Sequence, residues 1–395
     1  MKTNKIFDIA VIGRGMMGTS AAKYLANMGA SIIIIGPGEP KNRSTHKGVF
    51  GSHYDSGRIT RILDKDPYYA KISELSIKRF REIENISGIN FYENVGLITI
   101  SGIHSFLDEL KDCAKRHNLN HSVVDHKDLA LTFPYLNFQE GMTGIYEQET
   151  AGYIDPRKFI SAQGEIINFF GGKIIKETVT KIKENNGYYS IYTDKNNHIK
   201  CEKILLATGP FANHLGLIPK FVSIKIIEHT VVFGEISYAT LKTLKKMPSI
   251  IYRRTEDIFG SVYILPPIKY PDGRFWLKIG QSRGKIMMNP EKNLIPWFQS
   301  HGDKEISEWL LSELKNILPK IKFISTHYDS CVTTKSNSGY QFIDKFDSKE
   351  IYSCLVGDGQ AAKSADEIGR IAAHKILYGE VPGEYKGINF KNDYY

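Results

Sequence analysis

Ile9-Ala10-Val11-Ile12 runs directly into Gly13-Arg14-Gly15-Met16-Met17-Gly18, and a helical stretch over 19–28 follows. Strand, glycine turn and helix in this order constrain the fold more than anything else in the chain, because each glycine answers a separate steric demand. Gly13 permits the tight turn, Gly15 lets backbone approach a pyrophosphate, and Gly18 lets the helix pack closely on the strand. After Gly29 a second apolar strand over 31–35 completes the opening of a nucleotide-binding βαβ unit with a right-handed crossover. The helix N-terminus offers unpaired N–H groups and the positive dipole end, which is where a dinucleotide's phosphates bind. One element of that pattern is missing: the second strand runs Ile35-Gly36-Pro37-Gly38-Glu39, with no acid at its end for the ribose hydroxyls. Backbone or Glu39 takes that contact, or the cofactor site is altered.

A chain of 395 residues, 42% hydrophobic, exceeds what one core usually accommodates, so two domains are expected. No run of eighteen apolar residues occurs, and Met1-Lys2-Thr3-Asn4-Lys5 leads into a strand rather than a signal peptide, which reads as a cytoplasmic protein without a membrane span. Cys113, Cys201, Cys331 and Cys354 form no C-x-x-C pair, so neither a disulfide framework nor a metal site is expected. The net charge of +9 is scattered among Asp and Glu, as on a solvated lysine-rich surface, and does not point to nucleic acid.

Periodicity predicts a helix over 67–86, a strand over 91–100 and a helix over 156–170 opened by Asp155-Pro156. Strands over 173–175, 178–183 and 188–193 follow, the last two joined by the hairpin turn Asn186-Gly187, and then a buried strand over 203–207. Residues 221–282, β-branched and aromatic, read as antiparallel sheet broken by Pro266-Pro267 and Pro271-Asp272-Gly273. A helix over 307–318, a strand over 351–356, the turn Gly357-Asp358-Gly359 and a helix over 361–377 close the chain.

The stretch Gly51-Ser52-His53-Tyr54-Asp55-Ser56-Gly57-Arg58-Ile59-Thr60-Arg61 resembles the G-S-x-x-x-x-x-R-x-x-R segment of the monomeric sarcosine oxidase and N-methyltryptophan oxidase family, within the glycine oxidase and D-amino acid oxidase superfamily. The resemblance extends over nearly the whole chain, through Leu205-Leu206-Ala207-Thr208-Gly209, Phe275-Trp276-Leu277-Lys278-Ile279-Gly280, Asp329-Ser330-Cys331-Val332-Thr333-Thr334-Lys335 with Gln341-Phe342-Ile343-Asp344, and Val356-Gly357-Asp358-Gly359-Gln360-Ala361-Ala362-Lys363-Ser364. It implies an α/β fold of the D-amino acid oxidase type: a Rossmann-like FAD-binding domain built from 1–90, 150–220 and 330–395, and an α+β substrate domain with an antiparallel sheet from 91–149 and 221–329.

The same resemblance implies FAD held by Gly13, Gly15, Met17, Gly18, Ser52, Arg58, Gly209, Gly357, Gly359 and Lys363, with a thioether from Cys331. It implies that Lys278 activates O₂ through a fixed ammonium, which favours the developing negative charge in a water-poor site. Arg58 would set the electrostatics beside the flavin, and Tyr263 aligns with an active-site tyrosine that an ordinary strand aromatic would match equally well. Arg61 and Lys363 would fix a substrate carboxylate, a bidentate guanidinium and an ammonium together setting its orientation. The implied activity is oxidation of the C–N bond of a small carboxylated secondary amine, an N-methyl or cyclic amino acid, to an imine, with O₂ reduced to H₂O₂ by a monomeric enzyme. A dehydrogenase using another acceptor, and a catalytically silent flavin- or anion-binding protein, remain open on the same scaffold. The sequence departs from the family at Ser282, Thr333, Ala362 and Ser364, where the family carries histidine, tyrosine and aromatics, which implies a roomier and more polar pocket than sarcosine needs.

Overall fold

The computed structural model describes residues 2–254, 260–347 and 349–395; residues 255–259, inside the stretch expected to be antiparallel sheet, lie outside the described residues. Among the described residues a seven-stranded sheet includes the parallel strands Lys2–Ile12, Ile32–Ile35, Lys173–Ile175, His198–Leu206 and Ile351–Ser353, with Lys173–Ile175 at one edge. Ile32–Ile35 is four isoleucines, all buried, as a parallel strand covered on both faces requires. Alternation sorts its neighbours. Ile9, Val11, Ile32 and Ile34 pack with the helices Met16–Asn27 and Ala361–Tyr378, while Ala10, Ile12, Ile33 and Ile35 pack on the opposite side. The hairpin Val179–Asn185 and Tyr188–Thr193 turns at Asn186-Gly187 with Asn185 opposite Tyr188, as the turn residues predict.

The two helices cross at Gly369, where a Cβ would stand 2.5 Å from Ala21 N and Ser20 Cβ. That approach brings the N-termini of both helices to one side of the sheet. A buried ionic cluster fixes it. Asp366 accepts from Lys23, from Tyr24 OH at 2.8 Å and from Arg79 Nε at 2.7 Å, while Glu367 accepts from Arg79 and from Tyr385 OH at 2.7 Å.

A nine-stranded sheet includes Lys225–Ile236, Phe275–Gln281, Val262–Lys269, Ser249–Arg253 and Leu97–Ser101, with Thr326–Lys335 also paired to Lys225–Ile236. One face carries Val232, Ile236, Ile250, Leu277 and Ile279 against the helix Lys304–Ile317. The other face carries the site described below. Four departures from the sequence reading have local causes. Pro266 and Pro267 do not end a strand but sit inside Val262–Lys269, at a register shift between Leu265 and Ile268, since proline has no N–H for the ladder. The strand expected over 91–100 is divided into Tyr92–Glu93 and Leu97–Ser101, with Gly96 in the left-handed region at φ 76°. Ser249–Arg253 pairs in parallel with Leu97–Ser101, so the sheet is mixed rather than antiparallel throughout. Asp303 caps the later helix by accepting from Ile306 N, so the helix opens at Lys304 rather than 307. The described cysteines are all free, and no described helix is long and apolar enough to cross a membrane.

Candidate active site

The first glycine turn opens onto a cleft with about 1400 Å³ of empty space, part of it open to solvent. Gly13, Gly15, Met17, Ser52, Arg58, Gly209, Cys331, Gly357 and Gly359, nine of the residues expected to contact a cofactor, line it, whereas Lys363 is not among the lining residues. Gly18 lies behind the turn: a Cβ there would meet Gly13 O at 2.0 Å, and one on Gly13 would meet Ala207 O at 2.1 Å. Gly15 is different, its nearest neighbour being His53 Nδ1 at 3.6 Å, which leaves backbone open to the cleft. The helix Met16–Asn27 starts there with no side-chain cap and no acid in its first turn. Ser52 Oγ and Thr208 Oγ1 are buried without a partner among the described residues, and both residues line the cleft. Open helix N–H groups, the Arg14 guanidinium and unpaired hydroxyls between apolar walls fit the pyrophosphate and polar edges of FAD.

The missing second-strand acid has a steric counterpart. A Cβ on Gly36 would stand 2.7 Å from Arg14 N, and Arg14 Nη1 donates to Gly36 O at 3.4 Å. Glu39 is clasped by Arg157, from Nε at 2.8 Å and Nη2 at 2.6 Å.

The second glycine turn is strained, with Val356 at φ 67° and Asp358 at φ 47°. Burial pushes the Asp358 carboxyl up to about 6, with Lys335 partly offsetting it. A carboxyl raised in the fold contributes a penalty that grows as pH rises from about 4 through 6 and is complete above it. Asp358→Asn removes the buried charge and keeps a residue that tolerates positive φ. It is expected to raise stability at pH 7.5 by about 1–2 kcal/mol, allowing for partial exposure, and to leave it unchanged near pH 4, read from urea midpoints.

The inner wall is a single sheet face read across its register. Leu265, Lys278, Phe233 and His327 form one row, Tyr263, Gly280, Val231 and Asp329 the next, and His229 stands opposite Cys331. Strand alternation therefore puts Lys278, Tyr263 and Cys331 on the same face. Gly280 leaves room for the Tyr263 ring, whose Cζ would lie 2.5 Å from a Cβ. Lys278 has no exposed surface; it donates to Asp55 and, at 3.1 Å, to Gly57 O. Burial and then Arg58 push its ammonium down to about 8, with Asp55 partly offsetting them. Asp55 also takes Arg58 Nη1 and Tyr270 OH, the latter at 2.9 Å. Burial would raise that carboxyl, but Arg58 and Lys278 outweigh it and hold it well below the usual range. Arg58 Nη2 reaches Ser52 O at 3.1 Å and Cys331 Sγ at 3.6 Å, so one guanidinium touches both the counter-ion of Lys278 and the cysteine.

Arg61 and Lys363 are brought together from distant segments, and both meet Asp64. Lys363 Nζ donates to Asp64 Oδ2 at 2.7 Å and Arg61 Nη2 at 3.3 Å. Burial and Arg61 lower the Lys363 ammonium to about 8; Asp64, which burial would raise, is held at about 2 by Lys363 and Arg61. Glu147, fully buried, accepts from Ile62 N, Leu63 N and Thr150 Oγ1 at 2.8, 3.0 and 2.7 Å and shapes the same loop. Of the departures from the family, Thr333 Oγ1 meets His229 Nε2 at 2.9 Å, Ala362 lines the cleft, and Ser364 Oγ turns back to Gln360 O at 2.8 Å. Sequence reasoning missed Asp55, Asp64 and His229. The first two lie within three residues of Arg58 and Arg61, which is the signal that could have found them.

Comparison with known proteins agrees with this geometry. Over 393 residues the chain is 23% identical to a probable sarcosine oxidase of Arabidopsis thaliana, covering 95% of this chain and 89% of that one. It is 25% identical over 213 residues to a monomeric sarcosine oxidase of Streptomyces avermitilis, a match that spans about half of each protein, 53%. The solved structure of NikD, an unusual amino acid oxidase essential for nikkomycin biosynthesis, superposes with a TM-score of 0.76 at 15% identity, over 99% of this chain and 98% of that one. The architecture, with its two large sheets and a small three-stranded one, is therefore that of the D-amino acid oxidase type. Since residues 8–375 match the family model described as FAD dependent oxidoreductase, the chain belongs to that family.

Proposed function

We propose that this flavoenzyme oxidises the C–N bond of a small carboxylated secondary amine, an N-methyl or cyclic amino acid, using O₂ and releasing H₂O₂. The observation that carries the reading is the buried Lys278 on the sheet face of Cys331, with Arg58 bridging from its counter-ion to the sulfur. Sarcosine, named for the relatives above, is itself a secondary amine bearing a carboxylate.

FAD, when bound, supplies the two-electron acceptor for amine oxidation and passes the electrons to O₂. The chain's own residues do the rest. Arg61 and Lys363 orient the substrate's carboxylate and so place its amine carbon, which removes orientational freedom from the reacting pair. Lys278 presents a fixed positive charge in a dry site, where it counts for more than in water. Tyr263 packs beside it and helps exclude water. Cys331, beside Arg58, is the site of covalent attachment. The division into an FAD-binding part (1–90, 150–220, 330–395) and a substrate part (91–149, 221–329), a monomeric state and a cytoplasmic location belong to the same reading.

Denaturing mass spectrometry tests the attachment. The intact chain is expected to carry a flavin-sized mass increment that Cys331→Ala loses, while the variant still takes up FAD reversibly. An increment retained by the variant would move the link elsewhere. An anaerobic screen of N-methyl and cyclic amino acids, read by flavin bleaching, tests the activity; a flavin that no such amine bleaches would overturn it.

A further inference from the structure

We propose that Asp64 is a specificity-determining residue: it holds the Arg61 and Lys363 cations as an internal counter-ion, and a substrate's carboxylate must compete with it for them. This rests on the reading above, in which those two cations receive the carboxylate. Asp64 Oδ2 is the oxygen that both cations share, at 2.7 Å from Lys363 Nζ and 3.3 Å from Arg61 Nη2. Its other oxygen, Oδ1, accepts from Asp66 N at 3.1 Å, which anchors the side chain to its own loop. Asp66 in turn caps the helix Pro67–Ser87 by accepting from Tyr68 N at 2.9 Å, so the anchor is tied to a long helix.

The charge balance follows from these contacts. Two cations facing one buried carboxylate leave a net charge of +1, and Glu147, packed on the same loop, lies close enough to act on Lys363 as well. An incoming carboxylate therefore meets a nearly neutral site instead of a doubly positive one. The cations are also unequally accessible: the Arg61 side chain keeps 22% of its surface exposed and Lys363 only 2%. The substrate meets Arg61 first and gains Lys363 only as Asp64 yields it. Amines that bind through a strong carboxylate contact alone are penalised, and those with further polar contacts are favoured.

The test is calorimetric titration of the FAD-loaded protein with propionate and with its uncharged counterpart propionamide, at constant ionic strength. Asp64→Asn keeps an acceptor for Asp66 N and removes the competing charge. It is expected to bind propionate about ten- to hundredfold more tightly than the natural protein, with propionamide unchanged. Adding Lys363→Met to Asp64→Asn is expected to abolish that gain. Asp64→Ser, which also keeps an oxygen acceptor, serves should the first variant fold poorly. Propionate binding that is unchanged or weaker in whichever variant folds would overturn the proposal and leave Asp64 as a partner that only positions the cations. Failure of the amine-oxidising reading would be recorded separately, as a flavin in the natural protein that no amine bleaches, and does not affect the calorimetric comparison.

Discussion

Lys278→Met is expected to leave anaerobic flavin bleaching by substrate within a few fold of the natural protein, and to slow reoxidation by O₂ about 10²- to 10³-fold, the usual cost of removing one preorganised charge or donor. Methionine fills the same buried volume, so packing changes little. The lost ammonium leaves Asp55 still paired with Arg58 and Tyr270, which limits the structural damage. Stopped-flow mixing of bleached enzyme with oxygenated buffer measures the effect. Because burial and Arg58 push the Lys278 ammonium down to about 8, the natural reoxidation rate should fall as pH rises through that value. The variant should show no such limb. Equal reoxidation rates in the two proteins would remove Lys278 from oxygen chemistry and favour a different electron acceptor.

Asp366→Ala is expected to cost about 3–5 kcal/mol of stability, the typical cost of breaking a buried ion pair from one side. The carboxylate is fully buried and takes Lys23, Tyr24 and Arg79 at once, so its loss leaves the Lys23 ammonium and the Tyr24 phenol without this acceptor and Arg79 with Glu367 alone. The contrast with Lys78–Glu74, an i,i+4 pair whose lysine is 64% exposed, is instructive: removing that pair should cost less than about 1 kcal/mol. Burial alone would raise the Asp366 carboxyl, but Lys23 and Arg79 outweigh it and hold it at about 2. A carboxyl lowered in the fold contributes stability above about pH 4 that is lost as pH falls towards 2. The variant should therefore unfold earlier in urea at pH 7, with the gap narrowing in acid. Since the cluster locks the helices Met16–Asn27 and Ala361–Tyr378 together, FAD affinity should fall with stability.

The glycine turn, the hairpin at Asn186-Gly187 and the C-terminal helix were legible because each is specified by residues within about one helical turn of each other. The helix His104–Arg116 was equally legible from Leu107, Leu110, Cys113 and Ala114 at helical spacing, and was not read. Family likeness pointed to Lys278, Cys331, Arg61 and Lys363 but not to their electrostatic partners. Asp55 lies 223 residues from Lys278, and Asp64 lies 299 from Lys363. Local periodicity carries no information about such pairs, and a short acidic residue beside an arginine reads as an ordinary surface contact. The strand Thr326–Lys335 gave a similar problem, since its length comes from pairing with residues Lys225 to Gly234.

The crossing at Gly369 has a consequence for biosynthesis. The helix Met16–Asn27 rests against one made much later in synthesis; Lys23 waits for Asp366, 343 residues behind it. At ordinary rates of translation that interval is on the order of tens of seconds. Through it the apolar face formed by Ala21, Ala22, Leu25 and Ala26 has no native cover from its partner helix. The cleft between the two helix N-termini, lined by residues from Gly13 to Ala362, is likewise complete only once the later helix has been made.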